Sequence, residues 1–279
     1  MASSDLKPLY TIFNLENPSA YLDPGFLCGV EYEIEGVRKL DDEFFERNIH
    51  TRFECHDDPS LRNEGKEYVT LPATYEAQLK LFDELHEALV LHPKIDPYSE
   101  RTSTHVHVNF KPVIMNKITQ FVRLYTLFEP YFFSLVDPSR QNNIYCVPLN
   151  FTHLPRTYYN NITNQITKWH KYTAFNLMPL MSKGTIEFRH LQGTGDKSVF
   201  EKWLSTIKKL YDFTLTYNID FNRVLKSDED IQKLYKDIFN DEDFPIELLN
   251  DTIIDVKIAL NRYTESSLWA RIGKLHQGK

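Results

Sequence analysis

The chain has 279 residues, 42% hydrophobic and 25% charged, the proportions of a globular protein rather than a disordered or fibrous one. Its net charge of −7 lacks the basic excess with which a protein neutralises nucleic-acid phosphates, and so argues against a nucleic-acid partner. The three cysteines (Cys28, Cys55 and Cys146) are odd in number and never at C-x-x-C spacing, which points to a reducing compartment and away from a disulfide framework or a zinc knuckle. The first residues lack the apolar core of a signal peptide, and no apolar run approaches about 18 residues; a cytoplasmic location with no membrane contact is expected.

Residues 1–25 read as a lead-in punctuated by Pro8, Pro18 and Pro24, in which Leu9–Leu15 suits an edge strand. In Phe26–Gly36, Glu31, Glu33 and Glu35 alternate with Val30, Tyr32 and Ile34. Period-two alternation predicts a strand with one acidic and one apolar face. Successive carboxylates there stand roughly 7 Å apart, and such a row repels itself unless a cation binds; a solvated strand face is the plainer reading. A second strand is predicted over 66–72, with Glu67 near its start, Pro72 closing it, and Asp57 and Asp58 in the turn ahead. Leu79, Phe82, Leu85, Leu89 and Val90 then mark a helix from Tyr75 to Leu91, ended by Pro93.

A third strand near 104–111 places His105, His107 and Asn109 on one face and Val106, Val108 and Phe110 on the other. Two histidines at that spacing meet one ion or anion, or are simply strand histidines. Met115–Leu135 is again helical in pattern, with Pro130 expected to kink or end it. Residues 137–170, rich in Asn and Tyr and broken by Pro138, Pro148 and Pro155, read as a long loop with one helix near Tyr158–His170, a candidate lid. A fourth strand near 184–191 puts Glu187 and Arg189 together, opposite Ile186 and Phe188. That is an ordinary ion pair, or the combination that grips a metal-bound polyphosphate: a carboxylate for the cation, a guanidinium fork for phosphate oxygens. From Lys197 onward apolar stripes predict helices over Val199–Tyr217, Asp228–Phe239 and Pro245–Leu275, with Ser227 as an N-cap.

Strands first and helices last give an α+β fold. If the four strands share one sheet, Glu31, Glu33, Glu67, Glu187, Arg189 and His105 or His107 converge on a polar face while helices cover the apolar one. Oxygen-rich donor sets favour Mg²⁺ or Mn²⁺ over Zn²⁺.

Five motifs come in a fixed order: Gly29-Val-Glu-Tyr-Glu-Ile-Glu35; Asp57/Asp58 with Ser60, Leu61, Gly65, Glu67 and Pro72; His105-Val-His107-Val-Asn109; Tyr172-Thr-Ala-Phe-Asn176; and Gly184-Thr-Ile-Glu187-Phe-Arg189. Over roughly residues 26–195 the chain resembles the amidoligases of the carboxylate–amine ligase superfamily, related to glutamate–cysteine ligase and glutamine synthetase and often encoded by bacteria and their phages. The resemblance implies one domain over 1–279, with a curved, largely antiparallel sheet over 26–195 and a helical part over 196–279. It implies ATP and Mg²⁺ as cofactors, Mn²⁺ as a substitute, and formation of an amide between a small-molecule or peptide carboxylate and an amine through an acyl phosphate. By the same resemblance Glu31, Glu33, Glu67 and Glu187 are metal ligands, His105 or His107 (His107 preferred) is a further ligand or phosphate contact, and Arg189 clamps the γ-phosphate. Asn176, Arg140, Tyr145, Lys171 and Lys168 line the nucleotide or acyl-phosphate site. One of Asp57, Asp58 and Glu64 is the candidate base for the incoming amine, Asp58 being expected among the catalytic residues with Arg189, Glu187 and His107. Rival readings are a guanidino-type phosphotransferase on the same sheet, a zinc or manganese hydrolase built on His105 and His107, and a catalytically silent binding module. The acidic balance favours an amine-bearing partner.

Overall fold

The computed structural model describes residues 6–16, 25–36, 52–90, 96–149, 166–167, 169–240 and 246–249. Within them the alternating segments form strands. These are β1 (Leu27–Ile34), β2 (Phe53–Asp57), β3 (Lys66–Thr70), β4 (Ala73–Thr74), β5 (Ser103–Asn109), β6 (Phe175–Asn176) and β7 (Thr185–Gln192). They make one antiparallel sheet in the order β2-β3-β1-β5-β7-β6, with β4 pairing β1. The fold is α+β, as the pattern of elements predicts.

The even-numbered side chains of β1 and β5 make one face apolar. Val30, Ile34, Val106 and Val108 are fully buried, and Tyr32 nearly so. Three helices cover this face: α2 (Tyr75–Val90), α3 (Met115–Ser134) and α4 (Lys197–Thr216), following α1 (Leu9–Phe13) in chain order. Aromatic rings form the join. Tyr32 meets Phe82 of α2 and Phe200 of α4, Phe188 of β7 meets Phe121 of α3 and Trp203 of α4, and Phe110 meets Phe121 and Tyr211. Burying such rings drives association of the layers and adds edge-to-face attraction. Two further helices, α5 (Phe221–Val224) and α6 (Asp228–Phe239), complete the helical side. Ser227 caps α6, its hydroxyl accepting from the Asp230 N–H.

Between β5 and β7 the register slips: Thr104 faces Leu191, but Val106 faces Phe188. Arg189 and His190 therefore oppose the single residue His105, as in a β-bulge. Alternation puts Glu187 and Arg189 on the polar side and His190, fully buried against Tyr125 of α3, on the other; the extra residue lets Leu191, next along, be buried as well, opposite Thr104.

Several expectations give way. Leu9–Phe13 is a helix, not an edge strand. The Leu9 and Tyr10 amides donate to the Val113 and Lys111 carbonyls, and Asn14 closes the turn in a left-handed conformation, so a local turn outcompetes extension along the sheet. Pro130 does not end α3, which runs on to Ser134. A proline there removes a backbone hydrogen bond and costs about 3 kcal/mol or more, offset by burial of Tyr131, Phe132 and Phe133 in the turn that follows. Asp57 belongs to strand β2 rather than to a turn, and the two-residue strands β4 and β6 carry too little sequence to show a period. The helix expected near Tyr158–His170 lies largely outside the described residues, as do Lys168 and most of 245–275, where the described piece is a 3-10 turn at Ile246–Leu249.

Candidate metal centre

The polar face is built from cross-strand rows. Glu31 of β1 pairs with Val69 of β3 and His105 of β5; Glu33 pairs with Glu67; Gly29 pairs with His107, which in turn faces Glu187, and Glu187 faces Asn176. Directly opposed residues project to the same side of a sheet, so register alone gathers these groups.

They gather into two clusters of three donors. Ligand atoms of Glu31, His105 and Glu187 lie within 4.8 Å of one another, as do those of Glu33, Asp58 and Glu67. Octahedral Mg²⁺ holds oxygens at about 2.0–2.1 Å, so its ligands stand roughly 3–4 Å apart; a modest inward movement brings either set into range. Glu31 and Glu33, two residues apart on β1, place the clusters side by side.

Neighbours aim the donors. Ser103 gives both its N–H (2.8 Å) and its hydroxyl (2.6 Å) to Oε2 of Glu33. His105 turns Nδ1 toward Glu31 (3.4 Å) and Glu187 (3.5 Å), while Nε2 meets the Ser103 hydroxyl at 2.8 Å. Glu187 is gripped on both oxygens, by Arg189 at 2.5 Å and by the Asn176 amide at 2.7 Å. His107 stands with Nε2 3.0 Å from Glu31 but off the line of a hydrogen bond, so this buried nitrogen has no aligned partner. A cation gives a buried polar atom of that kind a partner.

The electrostatics follow the geometry. Burial pushes the Glu67 carboxyl up, and Glu31, Glu33 and Asp58 push it further, to about 7. Burial also acts to raise Glu31, but the close approach of His105 and His107 outweighs it and holds it well below the carboxylate range. Glu187 is lowered against its burial by Arg189, His107 and His105. His107 is raised against its burial by Glu31 and Glu187. The second cluster is thus three carboxylates whose one nearby histidine, His105 at 3.7 Å from Glu33, does not stop Glu67 from being raised. Donors that are carboxylates in five of six cases suit a hard divalent cation.

A model of the family described as "Putative amidoligase enzyme" matches residues 40–211, more than half of the chain. The chain belongs to this amidoligase family. No curated protein matches it. The matched span begins after β1, so Glu31 and Glu33 stand outside it while their partners His105, Glu187, Asp58 and Glu67 stand within.

Every sequence-derived site residue of the amidoligase except Lys168, which lies outside the described residues, has a definite place. Glu31, Glu33, Glu67, Glu187, His105, His107, Asn176 and Arg189 come together. His105, rather than the preferred His107, shares the first cluster with Glu31 and Glu187. Asp58, one of three candidate bases, joins the second cluster, whereas Asp57 and Glu64 are exposed and belong to neither. Arg140 is 3% exposed, and its guanidinium donates to the carbonyls of His190 and Arg189, both at 2.8 Å; it braces the bulge instead of facing the polar site. Tyr145 offers its carbonyl to Arg189 at 3.2 Å and its ring to Tyr172, over which the Lys171 ammonium sits. Glu35 leaves the acidic row altogether: it is buried and accepts the Arg62 N–H, tying down the loop that carries Asp58. Ser103 and Thr185, the latter 3.2 Å from His107, were missed. Extending the same alternation by one step at the start of β5 and β7 would have found both.

Proposed function

We propose that the protein is an ATP-dependent carboxylate–amine ligase that forms an amide through an acyl phosphate. One observation carries the reading: two adjacent three-donor clusters share β1, with an arginine paired to a glutamate of the first. The first would be held by Glu31, His105 and Glu187, the second by Glu33, Asp58 and Glu67. Divalent cations bound there would neutralise the triphosphate and align its terminal phosphoryl with an acceptor.

The chain's own residues then act as follows. Arg189, fixed by Glu187 and the Tyr145 carbonyl, directs its remaining donors at phosphate oxygens, where charge grows during transfer. The substrate carboxylate attacks the γ-phosphorus, the bond to ADP breaks, and a poor leaving group becomes phosphate. The amine nitrogen attacks the acyl carbon, a C–N bond replaces the C–O bond to phosphate, and the amine's proton leaves on the departing phosphate. Asn176 and Ser103 hold Glu187 and Glu33 in place, so little reorganisation is needed as charge shifts.

The test is release of ADP and phosphate, with an equal amount of amide by mass measurement, when carboxylates and amines are screened with Mg²⁺ and ATP. Glu187→Gln and Arg189→Ala should each cut turnover by about a hundredfold or more with unchanged far-UV circular dichroism. Full activity in both variants would end the assignment, and nucleotide consumption without free phosphate would mark a phosphotransferase instead.

A further inference from the structure

A cavity of about 240 Å³ opens on the polar face beside the first cluster. Glu31 and His107 line it, but Arg189 and the three members of the second cluster do not. It therefore adjoins the centre on one side only. Its volume falls below the roughly 300–1,000 Å³ of pockets that enclose drug-sized ligands, so it suits a molecule of amino-acid size better than a nucleotide.

Its lining is specific. Gly29 sits in mid-strand, opposite His107, on the same face as Glu31. A glycine there weakens a strand and marks a close approach. Gly29 lacks the left-handed backbone that would demand glycine, and a Cβ would stand 3.3 Å from the Thr70 carbonyl, tight but within reach of a small adjustment. What the missing side chain leaves is room in the cavity. Val69, Leu71 and Pro72 form an apolar wall, and Leu71 is 55% exposed, so its side chain is open to a ligand. Gln78 of α2 anchors the Leu71 carbonyl at 3.2 Å and the Cys28 carbonyl at 2.5 Å, fixing the rim. The lining carries two carboxylates, Glu31 and Glu54, the latter on β2 beyond Val69, while its positive charge lies at the opposite side, formed by β5 and β7. Lys111 and Lys183 both line the cavity, and the Lys183 ammonium is 3.7 Å from Glu31.

We propose that this cavity seats the acyl substrate, a small carboxylate with an apolar body. Its carboxylate is drawn to Lys183 and Lys111 beside Glu31, and its body lies over Gly29 against Val69, Leu71 and Pro72. The nucleotide is then left to the Arg189 side, and the two reactants meet across Glu31. The assignment rests on the ligase reading and adds the chemistry of its acceptor.

Calorimetric titration of the whole protein in Mg²⁺ tests it, with hexanoate, acetate and hexylamine as probes. Hexanoate should bind, acetate more weakly, and hexylamine should not. Lys183→Gln should weaken hexanoate about fivefold to tenfold, as expected for loss of a half-solvated charged contact. Gly29→Val should weaken hexanoate more than acetate by filling the floor. If Gly29→Val does not fold, Leu71→Asp, on an exposed side chain, tests the same wall. Absence of hexanoate binding, hexylamine binding equally well, or indifference of hexanoate to both Lys183→Gln and a wall variant would overturn the proposal. The two readings fail separately. If the ligase reading is wrong, no carboxylate and amine pair yields ADP although hexanoate keeps its dependence on Lys183. If the cavity assignment is wrong, ADP release persists while these variants leave acyl binding and acceptor KM untouched.

Discussion

Glu67 gives the centre a signature with two opposite signs. Its carboxyl is pushed up to about 7 by burial and by Glu31, Glu33 and Asp58, so in metal-free protein above that pH it is ionised among like charges. Glu67→Gln removes that repulsion while keeping shape and hydrogen-bonding capacity. Allowing for solvent screening of this partly exposed group, the variant should gain about 1 kcal/mol without cation, a rise of roughly 2–4 °C in Tm for a chain of this size. Cation reverses the ranking. A ligand present at one hundred times its Kd stabilises the native state by about 2.7 kcal/mol, so each filled cluster should raise the wild-type Tm by roughly 5–10 °C. The variant lacks one of three donors in the second cluster and should lose much of that cluster's share. The assay is thermal unfolding at pH 8 in chelator and in excess Mg²⁺ or Mn²⁺. A variant less stable than wild type in chelator, or one that responds to cation as wild type does, would refute the reasoning, as would a wild type indifferent to both ions.

The same groups set a pH dependence. Between the ordinary value of 4.5 and about 7 the folded protein holds a proton on Glu67 that the unfolded chain has released, so this contribution declines as pH rises through about 7. His107, raised above 6.5, adds a decline at higher pH, whereas Glu31 and Glu187, both lowered, withdraw stability on acidification below about 4.5. Urea unfolding of chelated protein should show a maximum in mildly acidic buffer that flattens toward neutral pH when Mg²⁺ is added. Arg140→Met should lower unfolding free energy by about 2–4 kcal/mol, since two buried carbonyls lose a charged donor; equal stability by urea titration would show that the brace is dispensable.

Much of this site was legible in the sequence because β-structure converts spacing into facing. Glu31, Glu33, His105, His107, Glu187 and Arg189 each sit two residues from another polar group, with buried apolar residues between. What spacing cannot supply is register. That Glu33 meets Glu67, or that Asp58 reaches both, depends on how β1, β2 and β3 slide against one another. Glu35 continues the period yet departs, because β1 ends at Ile34 and the chain there turns to hold the Arg62 amide. Arg140 reads as a ligand-binding arginine because a guanidinium suits phosphate and backbone carbonyls alike, and only the bulge at Arg189 and His190 tells which one it serves. Leu9–Phe13 differs for a related reason: its composition fits a strand, while among the described residues its Leu9 and Tyr10 amides alone pair with the neighbouring 111–113 segment.

The alternation of β1, β5 and β7 also separates two kinds of inheritance. Side chains that seal the helical layer and side chains that gather donors on the polar face occupy different positions on the same strands, so mutation can rewrite one set without disturbing the other. On the reading proposed above, a descendant that exchanges Gly29 would acquire a new appetite while its architecture stays intact, and one that loses Glu33 would fall silent yet still fold. Shape in such a lineage outlives occupation, and the odd-numbered positions of three strands are where a change of trade will be recorded.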